Sequence, residues 1–323
     1  TPMFICVGGS RCYGTYREDS DTDIRGVFIG EPKHYLGLSK IEQISVQRTG
    51  EKETDTLMEL RKFLELALSN NPNVVEMLFV KSDHVLYKNN LFPPFLDNRH
   101  LFLSKKCKHS YSGYAFSQLK RIQGHYDWLE NPPEEPLQEN YAVTRYRHKE
   151  TAHIIPECDY LAKEKRIKAI ANSGNIESKD KTSFFEDLDS WEKIEVVDKG
   201  AWDKALDKYK QYQTWRKNRN EDRAKLEAEF NYDVKHASHL VRLLLQGRQI
   251  LKEHDLDTYL RDEELKVIEE VKTGKYSYPE LIQYAESLNK ELEELYITST
   301  LRNSPDKEYI EGICIETLRN ALR

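Results

Sequence analysis

The sequence has few cysteines, no long apolar run and no excess of positive charge, and each absence excludes a class of protein. The five cysteines among 323 residues are scattered without a Cys-x-x-Cys pair, which indicates reduced thiols in a cytoplasm. No stretch approaches the roughly 18 apolar residues of a membrane span, and no signal peptide is visible. The net charge of −6 excludes an overall basic field that would attract nucleic acid. We therefore expect a cytoplasmic protein without a membrane partner.

The most informative feature that is present is a glycine-serine turn followed by a pair of aspartates. Apolar residues 3–7 predict a buried strand that leads into Gly9 and Ser10, and residues 23–29 predict the returning strand. Asp21 and Asp23 are one residue apart, so on a strand both side chains would point to one face and share a cation. The glycine lets backbone N–H groups approach an anion closely, and the serine adds a hydroxyl donor.

A phosphate-binding turn opposite a carboxylate pair is what metal-dependent phosphoryl or nucleotidyl transfer requires. The turn is not a Walker A loop, because no Gly-Lys-Ser/Thr follows the glycines. Either half alone is also typical of a solvated turn. The combination of the two, with strand patterns on both sides, favours the functional interpretation.

These residues resemble the active-site signature of the polymerase-beta-like nucleotidyltransferase superfamily. The motif is Gly9-Ser10 with Asp21-x-Asp23-x-Arg25-Gly26. The closer resemblance is to the predicted nucleotidyltransferases found beside RNA-repair genes in bacteria and phages. Later segments that fit this subfamily are Glu59 to Phe63, Asn71-Pro72, Glu76 to Leu78, Gly113 to Ala115 with Gln118, Lys235 to Leu244, and Gly274 to Ser277.

The resemblance implies a metal site with three carboxylates and two Mg²⁺ ions, for which Mn²⁺ can substitute. Asp21 and Asp23 supply two ligands, and the third is expected on a neighbouring strand. Asp55 lies immediately before a predicted helix, where the subfamily carries its acid, and Glu53 is the alternative. Three crowded carboxylates repel one another unless cations neutralise them. In such enzymes one ion activates the attacking hydroxyl and the other holds the triphosphate.

The pattern along the chain, read with this resemblance, predicts an α+β fold. A small mixed-sheet nucleotidyltransferase head occupies residues 1–95 and contains a helix over residues 57–69. The Phe92-Pro93-Pro94-Phe95 segment is interpreted as a hinge. Residues 96–323 are predicted to be mainly helical, with a charged helical arm inserted at about 160–230 around a flexible loop over residues 172–182. A capping box at Ser277 predicts the start of the last long helix.

A second candidate element is a helix over about residues 224–254. At 100° per residue, its residues Lys235, His239 and Arg242 fall on one stripe with Gln246 and Gln249. This stripe is either a solvated basic face or a wall of the cleft that binds the triphosphate or base. The subfamily resemblance at Lys235 and His239 favours nucleotide binding, and Arg25 is expected to support a carboxylate or a phosphate.

We therefore expect transfer of a nucleoside monophosphate from an NTP, such as ATP, to a hydroxyl, with release of pyrophosphate. By resemblance to the repair-associated subfamily, the expected acceptor is an RNA 3′ end, for which tRNA is a candidate. Two alternatives stay open. One is a protein-modifying enzyme of the AMPylation type, as in toxin–antitoxin relatives, and the other is a nucleotide-binding module without activity. The oligomeric state does not follow from these residues.

Overall fold

The computed structural model describes residues 1–18, 20–47, 54–172, 186–219 and 221–322. Contacts divide the chain into two compact units, one of Thr1–Leu129 with Glu221–Arg323 and one of Glu130–Asn220. The second unit is therefore inserted into the sequence of the first. The predicted domain boundary at about residue 95 lies inside the first unit and stays a prediction.

The first unit is built on a mixed five-stranded sheet of order β3-β4-β2-β1-β5. Its central strand β2 is antiparallel to β1 and parallel to β4, while β3 and β5 are antiparallel edge strands. The bounds are β1 Pro2–Val7, β2 Ile24–Phe28, β3 Gln43–Gln47, β4 Thr54–Glu59 and β5 Val85–Lys88. Together with the helices that follow, this sheet confirms the predicted α+β fold.

Short helices connect and cover the strands of this sheet. Between β1 and β2, the chain forms one helical turn where the sequence pattern predicted only a loop, and this turn ends at Gly14 in the left-handed conformation, with φ 76°. The bounds of these short helices are α1 Gly9–Tyr13, α2 Lys33–Leu36, α3 Leu60–Leu68, α4 Pro72–Val75 and α5 Pro93–Asp97.

The predicted helix over residues 57–69 starts three residues later than expected. Leu57 belongs to β4, where it pairs with Gly26 on one side and Ile44 on the other. Backbone hydrogen bonds to two neighbouring strands outweigh the helical periodicity of this short stretch, because local preferences are weak compared with tertiary contacts. The helix therefore begins at Leu60, where Glu59 accepts a bond from the backbone N–H of Arg61.

Longer helices complete the first unit. The predicted helix over residues 224–254 is two helices, because Asn231 adopts the left-handed conformation with φ 61° and Asp233 caps a new helix. The predicted capping box at Ser277 is present, since Glu280 accepts from the backbone N–H of Ser277 at 2.8 Å. The bounds are α6 Lys106–Glu130, α9 Glu221–Phe230, α10 Val234–Glu253, α11 Asp262–Lys272, α12 Tyr278–Thr298 and α13 Lys307–Ala321.

One hydrophobic core joins the sheet to these helices. Phe92 is fully buried and stacks on Phe4 of β1, with 4.4 Å between ring centroids. Phe95 in α5 is also fully buried in this core. The Phe-Pro-Pro-Phe segment interpreted as a hinge is thus packed into the core of the first unit.

The second unit contains a three-stranded antiparallel sheet of order β7-β6-β8, and one of its strands, β8, lies within the arm predicted to be helical over about residues 160–230. The strands are β6 Ala142–His148, β7 Ile154–Pro156 and β8 Trp191–Val197, and the helices are α7 Glu157–Asn172 and α8 Lys199–Asn218. Tyr146 of β6 stacks on Tyr160 of α7 with ring centroids 3.7 Å apart. The predicted flexible loop over residues 172–182 lies almost entirely outside the described residues.

Candidate functional site

The first unit contains a cavity of about 530 Å³ that is open to solvent, a size typical of small-ligand sites. Its wall combines the segment between β1 and β2 with residues of α6, α9, α10 and α11. Eight of the nine predicted site residues line it: Gly9, Ser10, Asp21, Asp23, Arg25, Lys235, His239 and Arg242. The structure thus brings together two motifs that are more than 200 residues apart in the sequence.

The aspartate pair lies just before strand β2 rather than within it. The strand begins at Ile24, and the backbone N–H of Gly8 donates to the carbonyl of Asp23 at 2.8 Å, which continues the pairing with β1 by one residue. Gly9 has a φ of 63°, and a Cβ atom built on it would lie 1.7 Å from Oδ2 of Asp23. Only glycine therefore allows the Asp23 carboxylate to lie against the start of α1.

Asp55 does not line the cavity with the other predicted carboxylates. It is 7 % exposed and lies in β4, where the parallel register pairs Arg25 with Thr56. Because side chains alternate along a strand, Asp55 lies on the opposite face of the sheet from Arg25. Asp21, Asp23 and Asp55 do not bring their ligand atoms within 4.8 Å of one another. A role for Asp55 as third ligand stays a prediction, and the alternative, Glu53, lies outside the described residues.

Glu76, at the end of α4, is the centre of a buried polar network beneath the cavity. Its carboxylate is 3 % exposed and accepts hydrogen bonds from the hydroxyl of Tyr13, at 2.8 and 2.9 Å to its two oxygens. The guanidinium groups of Arg25 and Arg242 donate to the same carboxylate, the latter at 3.3 Å. Glu76 therefore ties α1, β2 and α10 to one point.

Arg242 is held on several sides by this network. Its guanidinium lies 3.9 Å from the ring centroid of Tyr13 and donates to Oε1 of Gln246 at 2.7 Å. The residue is only 4 % exposed. The predicted basic stripe is therefore not uniformly solvated, because Arg242 and Gln246 are buried while Lys235, in the first turn of α10, is exposed.

Two basic groups of the cavity wall have pKa values lowered by burial and by their positive neighbours. The pKa of His239 falls to about 3, because of burial and the charges of Arg242 and Lys235, so its imidazole is uncharged at neutral pH. The pKa of Lys272 falls to about 8, because of burial and the charges of Arg17 and Lys235. Its ammonium group donates to the backbone carbonyl of Thr15, in the loop that follows α1.

The cavity wall carries more positive than negative charge, although the chain as a whole is acidic. Six arginines and lysines line it, against four aspartates and glutamates. An excess of positive charge suits a polyanionic ligand such as a triphosphate. The Asp21–Asp23 pair in the same wall has the oxygen ligands that Mg²⁺ prefers, since this ion is commonly held by one or two carboxylates together with substrate phosphates.

Sequence reasoning missed several residues of this site. Lys272 precedes the Gly274-Lys275-Tyr276-Ser277 segment by two residues, and that segment was noted only for its family resemblance. Tyr13 was not singled out, although it lies only three residues after Ser10. Glu76 is a single polar residue in an apolar run, and the sequence does not decide between a surface and an interior position for it. The structure shows it buried, with bonds to Tyr13 and Arg25.

Comparison with protein families gives a match over part of the chain. Residues 2–135 match the RNA repair pathway DNA polymerase beta family. The predicted family resemblance is confirmed over this stretch. The match includes Gly9, Ser10, Asp21, Asp23 and Arg25, whereas Lys235, His239 and Arg242 lie beyond it. The family supports a nucleotidyltransferase-type role.

No curated protein and no solved structure matches the chain. Within the part of the chain that the structure describes, no helix has the length and apolar character to cross a membrane.

Proposed function

We propose that this protein is a divalent-metal-dependent nucleotidyltransferase that transfers a nucleoside monophosphate from an NTP to a hydroxyl group. The observation that carries the proposal is the single cavity in which the Asp21–Asp23 pair and Ser10 face the basic side chains of α10 and α11. In the reaction, the hydroxyl oxygen forms a bond to the α-phosphorus, the bond from the α-phosphorus to the bridging oxygen breaks, and pyrophosphate leaves. The hydroxyl proton passes to solvent.

Each group in the cavity has a place in this proposal. Asp21 and Asp23 hold the divalent ions, which supply charge stabilisation for the reacting phosphates when bound. Ser10 and the backbone N–H groups around Gly9 donate to phosphate oxygens. Lys235 and Lys272 add positive charge where the triphosphate negative charge accumulates. His239, being uncharged, contributes a neutral hydrogen-bonding group.

Arg25 and Arg242 have a supporting role in this proposal. Both donate to Glu76, and both line the cavity. A guanidinium group has five N–H donors in a rigid fork, so each arginine can bind Glu76 on one side and a phosphate oxygen on the other. Glu76 thereby orients two phosphate-binding groups from opposite ends of the sequence.

For the acceptor, we propose an RNA 3′ end. The support is the family match of residues 2–135, whose description places the family in an RNA repair pathway. A tRNA is one candidate acceptor, and ATP is one candidate donor. Transfer to a protein hydroxyl uses the same chemistry. If the experiment shows such transfer, a protein replaces RNA as the proposed acceptor.

The deciding experiment incubates the protein with each α-labelled NTP, Mg²⁺ and RNA ending in a 3′ hydroxyl. Label is expected to enter the RNA, and blocking its 3′ end with a phosphate should abolish this. Label that enters only protein in a parallel lysate would replace RNA by a protein acceptor. Binding of NTP without transfer to either would refute the enzymatic proposal.

The metal assignment is tested by Asp21→Asn and Asp23→Asn in the same assay. Each change is expected to lower turnover roughly 10³-fold or more, because metal-bound charge stabilisation contributes several kcal/mol to the transition state. Asp97→Asn is the matched control, since Asp97 is an exposed acid of the same unit outside the cavity wall. Near-normal turnover in either site variant would refute the assignment.

A further inference from the structure

A second group of metal-ligating side chains lies at the junction of α6, α9 and α10. Within the described residues, His125, Asp233 and His236 are the one set of three such residues whose ligand atoms all lie within 4.8 Å of one another. Glu227 adds a fourth, with Oε1 3.7 Å from Nδ1 of His125. Asp233, His236 and Glu227 also line the cavity, but the group shares no residue with the Asp21–Asp23 pair.

We propose that His125, Asp233, His236 and Glu227 form a structural zinc site. Zinc accepts imidazole nitrogens and carboxylate oxygens at about 2.0–2.2 Å in a tetrahedral arrangement, which places neighbouring ligand atoms about 3.4 Å apart. Nε2 of His236 lies 3.6 Å from Oδ2 of Asp233, and Nδ1 of His125 lies 4.0 Å from the same oxygen. Movements of less than about 1 Å would bring the ligand atoms of His125, Asp233 and His236 to this spacing. The carboxylate of Glu227 lies outside the group of atoms within 4.8 Å of one another and must move further to become the fourth ligand.

Hydrogen bonds around His236 and Asp233 orient the two ligands. Nδ1 of His236 lies 2.8 Å from Oε1 of Gln118, so it carries the proton when it donates to that oxygen, and Nε2 then presents its lone pair toward Asp233. A metal-bound histidine almost always donates its other ring N–H in this way. Oδ1 of Asp233 accepts the backbone N–H groups of Lys235 and His236 as the cap of α10, which directs Oδ2 to the two imidazoles.

The charge and burial of the group also favour a cation. Asp233 and Glu227 are 2 % and 3 % exposed, so both carboxylates lie away from bulk water. A divalent cation interacts strongly with two buried carboxylates, because water screens buried charges only weakly. Two imidazoles with two carboxylates select zinc over Mg²⁺, which prefers oxygen ligands alone. A zinc ion here would fasten three helices beside the nucleotide cavity.

The test is titration of the chelator-treated protein with Zn²⁺ in competition with a chromophoric chelator. One equivalent is expected to bind in the presence of millimolar Mg²⁺. His125→Ala and His236→Ala should each weaken binding by 100-fold or more, and Gln118→Met by about 10-fold, as loss of an outer hydrogen-bond partner does. Asp233→Asn, which keeps the cap oxygen and removes the charge, should also weaken binding strongly.

Two controls separate this site from others. His109→Ala removes an exposed histidine of the same helix α6 and should leave zinc binding unchanged. Asp21→Asn should also leave it unchanged, because that carboxylate belongs to the proposed catalytic pair. The proposal would be overturned if the wild-type protein did not bind one equivalent of zinc, or if the two histidine variants bound zinc as tightly as the wild type. Loss of zinc binding in Asp21→Asn would also overturn it.

A spectroscopic measurement on the wild-type protein keeps the proposal testable if a variant fails to fold. Co²⁺ in place of zinc is expected to give the intense visible absorption of a tetrahedral site. The weak absorption of an octahedral, oxygen-ligated ion would refute the proposed ligands. Neither readout depends on nucleotidyl transfer, so the zinc proposal and the proposed function can fail separately.

Discussion

Replacing Glu76 by glutamine should destabilise the protein far more than an ordinary single substitution. The change removes the negative charge between Arg25 and Arg242 and keeps the shape of the side chain. The side chains of Glu76 and Arg242 are 3 % and 5 % exposed, so water cannot screen the guanidinium charge that is left. The side chain of Arg25 is 24 % exposed, which lets water compensate part of its charge.

The magnitude follows from these exposures. Removing one partner of a buried ion pair costs about 3–5 kcal/mol, and the partial exposure of Arg25 places the expectation at the lower end, about 3 kcal/mol. The free energy of unfolding is measured by urea denaturation. The slope of this free energy against urea concentration should be the same for the wild-type protein and the variant. The double variant Glu76→Gln with Arg242→Met should lose about 1–3 kcal/mol less than the sum of the single variants, because the second change removes the charge that the first leaves uncompensated.

The control for this experiment is Glu65→Gln on α3, where the glutamate is exposed. It should change the free energy of unfolding by no more than about 0.5 kcal/mol. A loss below about 1 kcal/mol for Glu76→Gln, or strict additivity in the double variant, would refute the interpretation of Glu76 as the centre of the network.

Three further predictions follow from individual residues of the cavity. Gly9→Ala should abolish nucleotidyl transfer, because its Cβ would meet the Asp23 carboxylate, and an active variant would contradict this geometry. The control is Gly113→Ala, in a helix with open space around it, which should be active and more stable by about 0.5–1 kcal/mol. The affinity for a non-hydrolysable NTP should fall as pH rises through about 8, where Lys272 loses its proton. Lys272→Arg should remove this pH dependence. If calorimetry finds equal affinity of the wild-type protein at pH 7 and pH 9, Lys272 does not take part in phosphate binding. Between pH 6.5, its ordinary pKa, and about pH 3, His239 binds fewer protons in the folded than in the unfolded protein. The free energy of unfolding should therefore decrease by about 1.4 kcal/mol per pH unit as pH falls from 6 to 4. His239→Gln should lack this decrease, and an identical pH dependence of the free energy of unfolding in both proteins would refute the prediction.

The parts of the fold that local patterns specify were predictable from the sequence. Strand β1 follows from its apolar run, Pro72 marks the first turn of α4, and the capping box at Ser277 marks the start of α12. The predicted strand over residues 23–29 differs from β2 by one residue at each end. In each case the residues that define the element are adjacent in the sequence, so no distant contact is needed to specify it.

The parts that were not predicted depend on distant partners. Residues 57–59 are extended because β2 and β3 pair with them. In the second unit, the paired strands β6 and β8 are separated by more than 40 residues. The choice between a solvated and a buried face for Arg242 depends on Glu76, 166 residues earlier. The predicted role of Asp55 rests on its spacing from a helix that begins later than expected, and its role in the site stays a prediction.

The insertion of the second unit affects how the first unit completes its cavity. The residues on the two sides of the insertion can pack together only after a loop of about 90 residues has closed, at an entropic cost of about 4 kcal/mol. During synthesis, Asp21, Asp23 and Glu76 emerge long before α10 and α11, so the ribosome-bound chain carries one wall of the cavity without the other. A protein cleaved once between residues 130 and 220 would keep the cavity only while its two fragments stay associated. The nucleotide binding that we propose would then decline on dilution, because the two walls would no longer be joined in one chain that holds them at a high effective concentration.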